Sequence, residues 1–331
     1  MTTITSGARR SEFDVTDTVR VSSPAAVREA VRELFTATHP SASFDTLWIA
    51  FHDFERLFKG EMPGFLGCDT VYHDTQHTLD MSLAMARLLA GHEMICASAE
   101  RLGPQRYVVG IITSLFHDAG YIRRSDDGEQ QNGAEFTLNH VSRSARFLCD
   151  YLPVIGLAKA APVACQIVHY TGREVEFGEL DLPDEKDRQL GHLLGTADLI
   201  AQMADRCYLE KCRDRLYGEF VLGGVANPRE PGREARYASG QDLLQKTPEF
   251  YRNETRELLD ITFQGAYRCI EPLFDGANPY LEAIDRNMRH LERVVASGAW
   301  DKLRREPPCF TSEKDTLRIM RGLVQQRLQD R

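Results

Sequence analysis

Helical periodicity, interrupted only by proline, glycine and polar breaks, is the feature that most limits what this chain can fold into. Apolar residues recur at helical spacing near 25–36, 45–58, 75–91, 105–119, 134–151, 158–170 and 188–220. Three pairs combine a helix-capping residue with a proline suited to the first turn: Ser23-Pro24, Thr247-Pro248 and Asn278-Pro279. No run alternates apolar and polar residues as a half-buried strand would. The sequence therefore predicts an all-α fold, a single helical bundle with additional C-terminal helices.

Two polar stretches without periodicity interrupt this pattern. Residues 123–133, RRSDDGEQQNG, directly follow a helix end and are predicted to form a solvent-facing loop and a candidate lid. Residues 223–240 form a second predicted loop. We expect N-terminal helices over 1–70 packed on a central core over 71–222. The remaining residues, 223–331, are expected to be a helical extension of the same domain.

Charge and composition exclude several classes of partner. The 331 residues include 40 basic and 49 acidic side chains, a formal charge of -9, which disfavours binding to nucleic acid or to an anionic membrane. No apolar stretch reaches the roughly 18 to 20 residues of a membrane span, and no apolar segment follows the N-terminal arginines as in a secretory signal. The eight cysteines form no CxxC pair, so we expect thiols and a cytoplasmic location. The oligomeric state is not predictable from these features.

Histidines and acids in the central third of the chain form the most informative pattern. His73 and His77 lie four residues apart, on one face of a predicted helix. His117 and Asp118 directly follow the apolar segment VVGIITSLF, and Asp198 lies inside LLGTADLIAQ. A lone helical histidine is more often a hydrogen-bonded core or surface residue than a ligand. A carboxylate on an apolar helix face, however, is costly to bury without a partner.

The order H…HD…D of these residues resembles the signature of the HD superfamily of metal-dependent phosphohydrolases. His140 and His169, which lie between Asp118 and Asp198, match the subset that binds two metals with six protein ligands. The segment YHDTQHTLD is also similar to the YHNxxHxxD segment of cyclic nucleotide phosphodiesterases. The resemblance extends over about residues 72–202. It implies a helical bundle like the phosphodiesterase catalytic domain.

The resemblance also implies a dinuclear metal centre. His77, His117, Asp118 and Asp198 would hold the first ion, and Asp118 would bridge to a second ion held by His140 and His169. Imidazole and carboxylate ligands suit Mn, Fe, Co, Ni or Zn, with Mg a further candidate at one site. The two aspartates cancel only half of the four positive charges. The remainder would attract an anionic substrate and lower the pKa of a shared water, so that a bridging hydroxide forms.

Three further residues near this pattern have proposed roles and plain alternatives. By the resemblance, His73 is the general acid that protonates the leaving ester oxygen, and its ordinary pKa suits that task. It could instead cap the helix start at the surface. Asp80 could orient a ligand imidazole or be an exposed helix charge, and Gln202 could line the substrate pocket or the rim of the core.

The expected function is hydrolysis of a small phosphate ester or a cyclic nucleotide phosphodiester. HDAGY replaces the HDVDH-type continuation of the phosphodiesterases, so the substrate stays open, with a nucleotide as one candidate. An alternative is an HD-fold oxygenase, in which the same six ligands hold a mixed-valent di-iron centre that acts on a small hydroxylated substrate. A third alternative is a metal-holding or nucleotide-binding regulatory module without turnover. His73 favours hydrolysis, because activating oxygen requires no acid for a leaving group.

Overall fold

A computed structural model describes residues 9–226 and 235–329. Within those ranges the regular structure is helical, with two isolated bridging pairs and no β-strand, so the all-α prediction is confirmed. Short 3₁₀ and π turns connect or extend several helices. The α-helices are α1 (Pro24–Thr38), α2 (Asp45–Lys59), α3 (Thr75–Ile95), α4 (Gly103–Phe116), α5 (His140–Val154), α6 (Ala161–Ile167), α7 (Glu185–Ala204), α8 (Tyr208–Lys211), α9 (Tyr217–Leu222), α10 (Gly240–Phe250), α11 (Pro279–Ser297) and α12 (Thr316–Gln329).

The predicted helix starts are confirmed at two of the three capping pairs, Ser23-Pro24 and Asn278-Pro279. Ser23 Oγ accepts the N–H of Ala26 at 3.3 Å, and Asn278 Oδ1 accepts a backbone N–H in the first turn of α11. The prediction at Thr247-Pro248 is wrong, because both residues lie inside α10. The Thr247 hydroxyl donates back to the carbonyl of the preceding turn instead of capping a new helix. The predicted loop over 223–240 falls partly on residues 227–234, which lie outside the described residues.

Helix α3 is the centre of the fold. Of its 21 residues, 17 are buried, because α1, α4, α7 and the 3₁₀ segment Ala266–Phe274 pack around it. At Gly91 the 3₁₀ segment approaches so closely that an added Cβ would lie 1.6 Å from the carbonyl oxygen of Cys269. A helix surrounded in this way has little freedom to shift. Its first turn is therefore a rigid base for the side chains that it presents.

The N-terminal, central and C-terminal parts of the chain share one hydrophobic core. That core extends from Val15 through the buried faces of α1 to α7 to Leu303. A buried ion pair adds to it, because Arg87 on α3 donates to Asp14 at 2.7 Å. The three parts are thus packed together, and the boundaries at 70 and 222 stay a prediction.

The single helix predicted over 188–220 is in fact interrupted. Helix α7 ends at Ala204, where Asp205 leaves helical geometry. Asp205 Oδ1 accepts the N–H of Cys207 at 2.7 Å, and its Oδ2 pairs with buried Lys211 at 2.5 Å. The chain then continues as α8, a π turn over Cys212–Leu216, and α9. This break redirects the chain so that α9 returns Glu219 towards the start of α3.

Residues 303–312, which we call the C-terminal strap, cross the segment before α3. The Phe310 N–H donates to Asp74 Oδ2 at 3.1 Å. Buried Arg215 donates to the carbonyl of Val71 and to two proline carbonyls of the strap. The strap therefore supports the same short segment that contains His73.

The prediction that the cysteines are all thiols is wrong at one pair. Cys149 and Cys165 form a disulfide with their Cα atoms 6.0 Å apart. The pairing arises because α5 and α6 pack against each other, which a separation of 16 residues does not reveal. The other six cysteines are free. In the described ranges no helix is long and apolar enough to cross a membrane.

Candidate metal centre

Three helices bring four of the predicted ligands together. Asp74 caps the start of α3 by accepting the N–H of His77, which places that imidazole in the first turn. His77 Nε2 lies 3.4 Å from Asp118 Oδ2 and 3.6 Å from Asp198 Oδ1. His117 Nε2, at the end of α4, lies 3.1 Å from Asp118 Oδ2. The side chains are buried, so these polar atoms face one another with little solvent between them.

The donor atoms in this cluster fit a cation. Within the part of the chain that the structure describes, His117 Nε2 and Asp118 Oδ2 are buried without a hydrogen-bond partner, a costly arrangement unless something binds between them. Ligands about 2.0 to 2.2 Å from one ion lie roughly 3 to 3.5 Å from each other. The separations of 3.1, 3.4 and 3.6 Å are close to that spacing, and His117 Nε2 lies somewhat farther, 3.9 Å, from Asp198 Oδ1. The buried group His77, His117 and Asp118, whose ligand atoms lie within 4.8 Å of one another, could bind a metal ion.

Hydrogen bonds to backbone carbonyls orient two of the imidazoles. His117 Nδ1 donates to the carbonyl of Ser114 at 2.8 Å, and His140 Nδ1 donates to the carbonyl of Thr137 at 2.8 Å. A proton at Nδ1 leaves Nε2 with its lone pair, and this is the tautomer that a metal ligand needs. Both imidazoles are thus prepared to bind through the nitrogen that faces the acids.

A second position lies on the other side of Asp118. Its Oδ2 faces His77 and His117, whereas its Oδ1 lies 4.0 Å from His140 Nε2. This carboxylate therefore stands between two sets of imidazoles. His169 lies on the 3₁₀ turn Val168–Thr171, and its Nδ1 is buried with no hydrogen-bond partner in residues 9–226 and 235–329. It is not part of the compact group of three found among the described residues.

Glu174 is a residue of this second position that the sequence analysis missed. Its carboxylate accepts the N–H groups of Val141 at 2.7 Å and Ser142 at 2.9 Å, so it caps α5. Its Oε1 lies 3.8 Å from His140 Nδ1. Burial lowers the pKa of His169, and the negative charge of Glu174 partly opposes this effect. Glu174 thus both caps α5 and places a negative charge close to His140 and His169.

Burial and mutual charge shift the pKa values of most of the clustered side chains. Burial lowers the pKa of His117, but the charges of Asp118 and Asp198, with the hydrogen bond to the Ser114 carbonyl, together outweigh burial and raise that pKa to about 9. Burial raises the pKa of Asp118, but the imidazoles of His117, His73 and His77 together outweigh burial, so this pKa falls well below the ordinary value. Burial raises the pKa of Asp198 and lowers those of His140 and His169. A cation would replace the proton on His117 as the partner of these acids.

His73 pairs with the buried carboxylate of Glu219, which lies 146 residues later in the sequence. Its Nδ1 lies 2.5 Å from Glu219 Oε2, and Glu219 Oε1 accepts the N–H groups of Val71 and Tyr72. Burial lowers the pKa of His73, but the charges of Glu219 and Asp118 outweigh it, so this pKa is raised. The sequence analysis missed Glu219, which is fully buried, because a single glutamate in an amphipathic helix gives no signal. Among the described residues, Nε2 of His73 has no hydrogen-bond partner.

The exposure of the side chains indicates on which side the centre opens. The side chains of His117 and Asp118 are 2% and 4% exposed, whereas those of His73 and His140 are 15% and 16% exposed. The first two therefore form the floor of the centre. His73 and His140 form its mouth, where an incoming molecule would first make contact.

Asp80 and Gln202 lie to one side of the centre, around a cavity of about 10 Å³ next to His77. Among the described residues no hydrogen bond joins Asp80 to a ligand imidazole, and its Oδ1 is buried without a partner. Burial, together with the charge of Asp205, raises the pKa of Asp80 to about 7. Gln202 accepts a hydrogen bond from the Tyr72 hydroxyl at 3.2 Å. A cavity of this size has room for about one water, and the substrate-site roles of Asp80 and Gln202 stay predictions.

The polar loop over 123–133 is anchored at both ends. Arg143 on α5 makes two hydrogen bonds to the carboxylate of Asp127. Arg123 donates to Asp69 at 2.8 Å, and that acid also accepts a backbone N–H at the end of the loop. These bonds hold the loop in this conformation, and its role as a lid stays a prediction.

Comparison with known families finds one match. The model of the Npun_R2479-like family matches residues 61–266, which is more than half of the chain. The matched region includes every predicted metal ligand, His73 and Glu219, but not the C-terminal strap. Among curated proteins and among solved structures, nothing matches this chain.

Proposed function

This chain belongs to the Npun_R2479-like family, and we propose that it is a metal-dependent phosphohydrolase. The proposed substrate is a small phosphate ester or a cyclic nucleotide phosphodiester, as in the HD superfamily that the sequence resembles. The observation that best supports this proposal is the pair of His73 and buried Glu219 at the mouth of a buried histidine and aspartate cluster. Such a pair is suited to deliver a proton to a group bound over the cluster.

In this proposal the ligands form two sets around Asp118. His77, His117, Asp118 and Asp198 would hold one divalent ion, and Asp118, His140 and His169 would hold the other. When bound, the ions would supply positive charge for an anionic phosphate and a water activated for attack. Two aspartates offset only half of that charge, so the site would attract anions although the chain as a whole is acidic.

The residues of the chain supply the proton for the leaving group. Glu219 holds Nδ1 of His73, which leaves Nε2 as the proton donor at the mouth of the site. As water adds to phosphorus and the P–O ester bond breaks, the leaving oxygen takes the proton from His73. The Glu219 carboxylate favours the protonated form of His73, which is the form that this role needs.

The His73–Glu219 pair is also what separates hydrolysis from the alternative, a di-iron oxygenase with the same ligands. An oxygenase needs no acid for a leaving group, whereas hydrolysis gives a use to a buried carboxylate oxygen that holds a histidine at the mouth of the site. The pair favours hydrolysis on chemical grounds.

The proposal is tested by metal analysis of the purified protein, followed by a panel of phosphate esters with added Mn²⁺. We expect bound transition metal and release of alcohol and phosphate product from at least one ester. His73→Ala should keep the metal and slow turnover by roughly 10²- to 10⁴-fold. His52→Ala is a matched control, because the His52 side chain is 68% exposed on α2. Bound iron with oxygen uptake and no ester cleavage would favour the oxygenase and overturn the proposal.

A further inference from the structure

The HDAGY turn, where the sequence departs from the phosphodiesterase pattern, places an aromatic ring beside the proposed acid. We infer that Tyr121 is a positioning residue that fixes the plane of the His73 ring. This inference rests on the proposed function, since it assigns Tyr121 to the delivery of the proton from His73. It concerns the ring of Tyr121 and not its hydroxyl.

The contacts of Tyr121 are those of a ring packed on two functional imidazoles. Its ring is stacked on that of His73, with centroids 4.3 Å apart and planes at 18°. It is also stacked on that of His140, with centroids 4.3 Å apart and planes at 20°. The two imidazoles themselves are 6.2 Å apart. Tyr121 is buried, so these stacking contacts are shielded from solvent.

The backbone around Tyr121 explains why its ring is held there. Ala119–Tyr121 form a 3₁₀ turn directly after Asp118, and the N–H of Gly120 donates to Ser144 on α5 at 2.8 Å. A Cβ on Gly120 would lie 1.8 Å from the carbonyl oxygen of His140. Only glycine allows the turn to approach the start of α5 this closely. The turn and the helix thus hold the Tyr121 ring between them.

Glu219 holds His73 at a single atom, and the rings of Tyr72 and His77 meet the imidazole edge-on, so neither of them packs flat against its face. A hydrogen bond at Nδ1 leaves the imidazole free to rock about the line that joins Nδ1 to Glu219 Oε2. Rocking would swing Nε2 away from a bound ester. A flat ring stacked on the imidazole opposes that motion, and a methionine of similar volume would not, because its side chain is flexible and has no planar face.

The test compares Tyr121→Met with Tyr121→Phe in the full-length protein loaded with Zn²⁺. The first readout is independent of activity: the NMR signal of the His73 Nδ1 proton, assigned by its loss in His73→Ala. We expect wild type and Tyr121→Phe to keep a sharp, slowly exchanging signal. In Tyr121→Met the signal should broaden or exchange rapidly, while zinc stoichiometry stays unchanged.

The second readout is turnover of two esters. Cyclic AMP has an alkoxide leaving group that needs a proton, whereas bis(4-nitrophenyl) phosphate has one that does not. Tyr121→Met should lower kcat on cyclic AMP by about tenfold, in line with an aromatic stacking contact, and leave KM and the nitrophenyl ester unaffected. Tyr121→Phe should match wild type on both esters.

Two results would overturn the inference. One is a sharp His73 signal in Tyr121→Met, and the other is a loss in Tyr121→Phe as large as that in Tyr121→Met. If Tyr121→Met melts at a much lower temperature, Tyr121→Leu is measured against Tyr121→Phe by the same criteria. Failure of wild type to cleave any ester of the panel, with the NMR pattern as expected, would refute the hydrolase proposal and leave Tyr121 as the residue that orders His73.

Discussion

Replacement of Glu219 by glutamine should disable the proposed acid without disturbing the fold around it. The amide oxygen of the variant can still accept the N–H groups of Val71 and Tyr72. Its NH₂ group, however, would meet Nδ1 of His73 donor to donor where the carboxylate now accepts at 2.5 Å. Glu219 is fully buried, so water cannot take over the lost contact.

The size of the effect follows from that single contact. A hydrogen bond to a charged group is worth about 1.5 to 3 kcal/mol, and each 1.4 kcal/mol corresponds to a tenfold change in rate. Glu219→Gln should therefore lower kcat by about 10- to 100-fold near neutral pH. The charge of Glu219 raises the pKa of His73, so its removal lowers that pKa, and the alkaline limb of the rate profile moves to lower pH. The defect should be larger at pH 8 than at pH 6.

The assay is the pH dependence of kcat for wild type and Glu219→Gln on one ester, with metal content measured on both. Glu254→Gln is the control, because Glu254 is an exposed glutamate paired with an exposed arginine. An alkaline limb that stays in place in the variant would show that Glu219 does not set the protonation of His73. A loss of metal together with activity would show that Glu219 supports the ligands and not the acid.

Three further predictions concern the centre and its surroundings. Asp118→Asn should abolish Mn²⁺ binding in a calorimetric titration, because this carboxylate faces both positions, and two ions bound as in wild type would disprove that role. Gly120→Ala should displace the start of α5, because its Cβ would lie 1.8 Å from the carbonyl oxygen of His140. The variant should therefore bind one ion fewer than wild type, and two bound ions by native mass spectrometry would contradict this. Burial raises the pKa of Asp14, but the charge of Arg87 and several hydrogen bonds together outweigh burial. The pKa of Asp14 therefore falls from 3.8 to about 2. The resulting stability, about 2 kcal/mol, is present above pH 4 and lost as the pH falls towards 2. In urea unfolding at pH 7, Asp14→Asn should have a free energy of unfolding lower by this amount. Its free energy of unfolding should also fall less steeply than that of wild type as the pH is lowered, and an equally steep fall would rule out this source of stability.

Most of the fold could be predicted because its signals are local. Helical periodicity, with Ser23 and Asn278 as caps, predicts where helices begin. The lack of alternating apolar and polar runs predicts an all-α fold. The interruption at Asp205 was not predictable, because it depends on a pair with buried Lys211 that exists only after the chain has folded. The same holds for the disulfide between α5 and α6.

The candidate centre divides in a similar way. His77, His117, Asp118 and Asp198 were predictable because their order along the chain matches a known motif. Glu219 was not, because its contact with His73 spans 146 residues and its carboxylate has no neighbouring motif. Glu174 and the C-terminal strap act by capping and supporting backbone segments, which leaves no residue pattern in the sequence. Supporting contacts of this kind are visible only in the folded chain.

The most direct test of the central claim is an anomalous difference map from crystals grown with Mn²⁺, measured at the manganese absorption edge. The account predicts two peaks, one on each side of the Asp118 carboxylate, the first among His77, His117 and Asp198 and the second beside His140. An empty map in that region would contradict the metal centre, and with it the proposed chemistry.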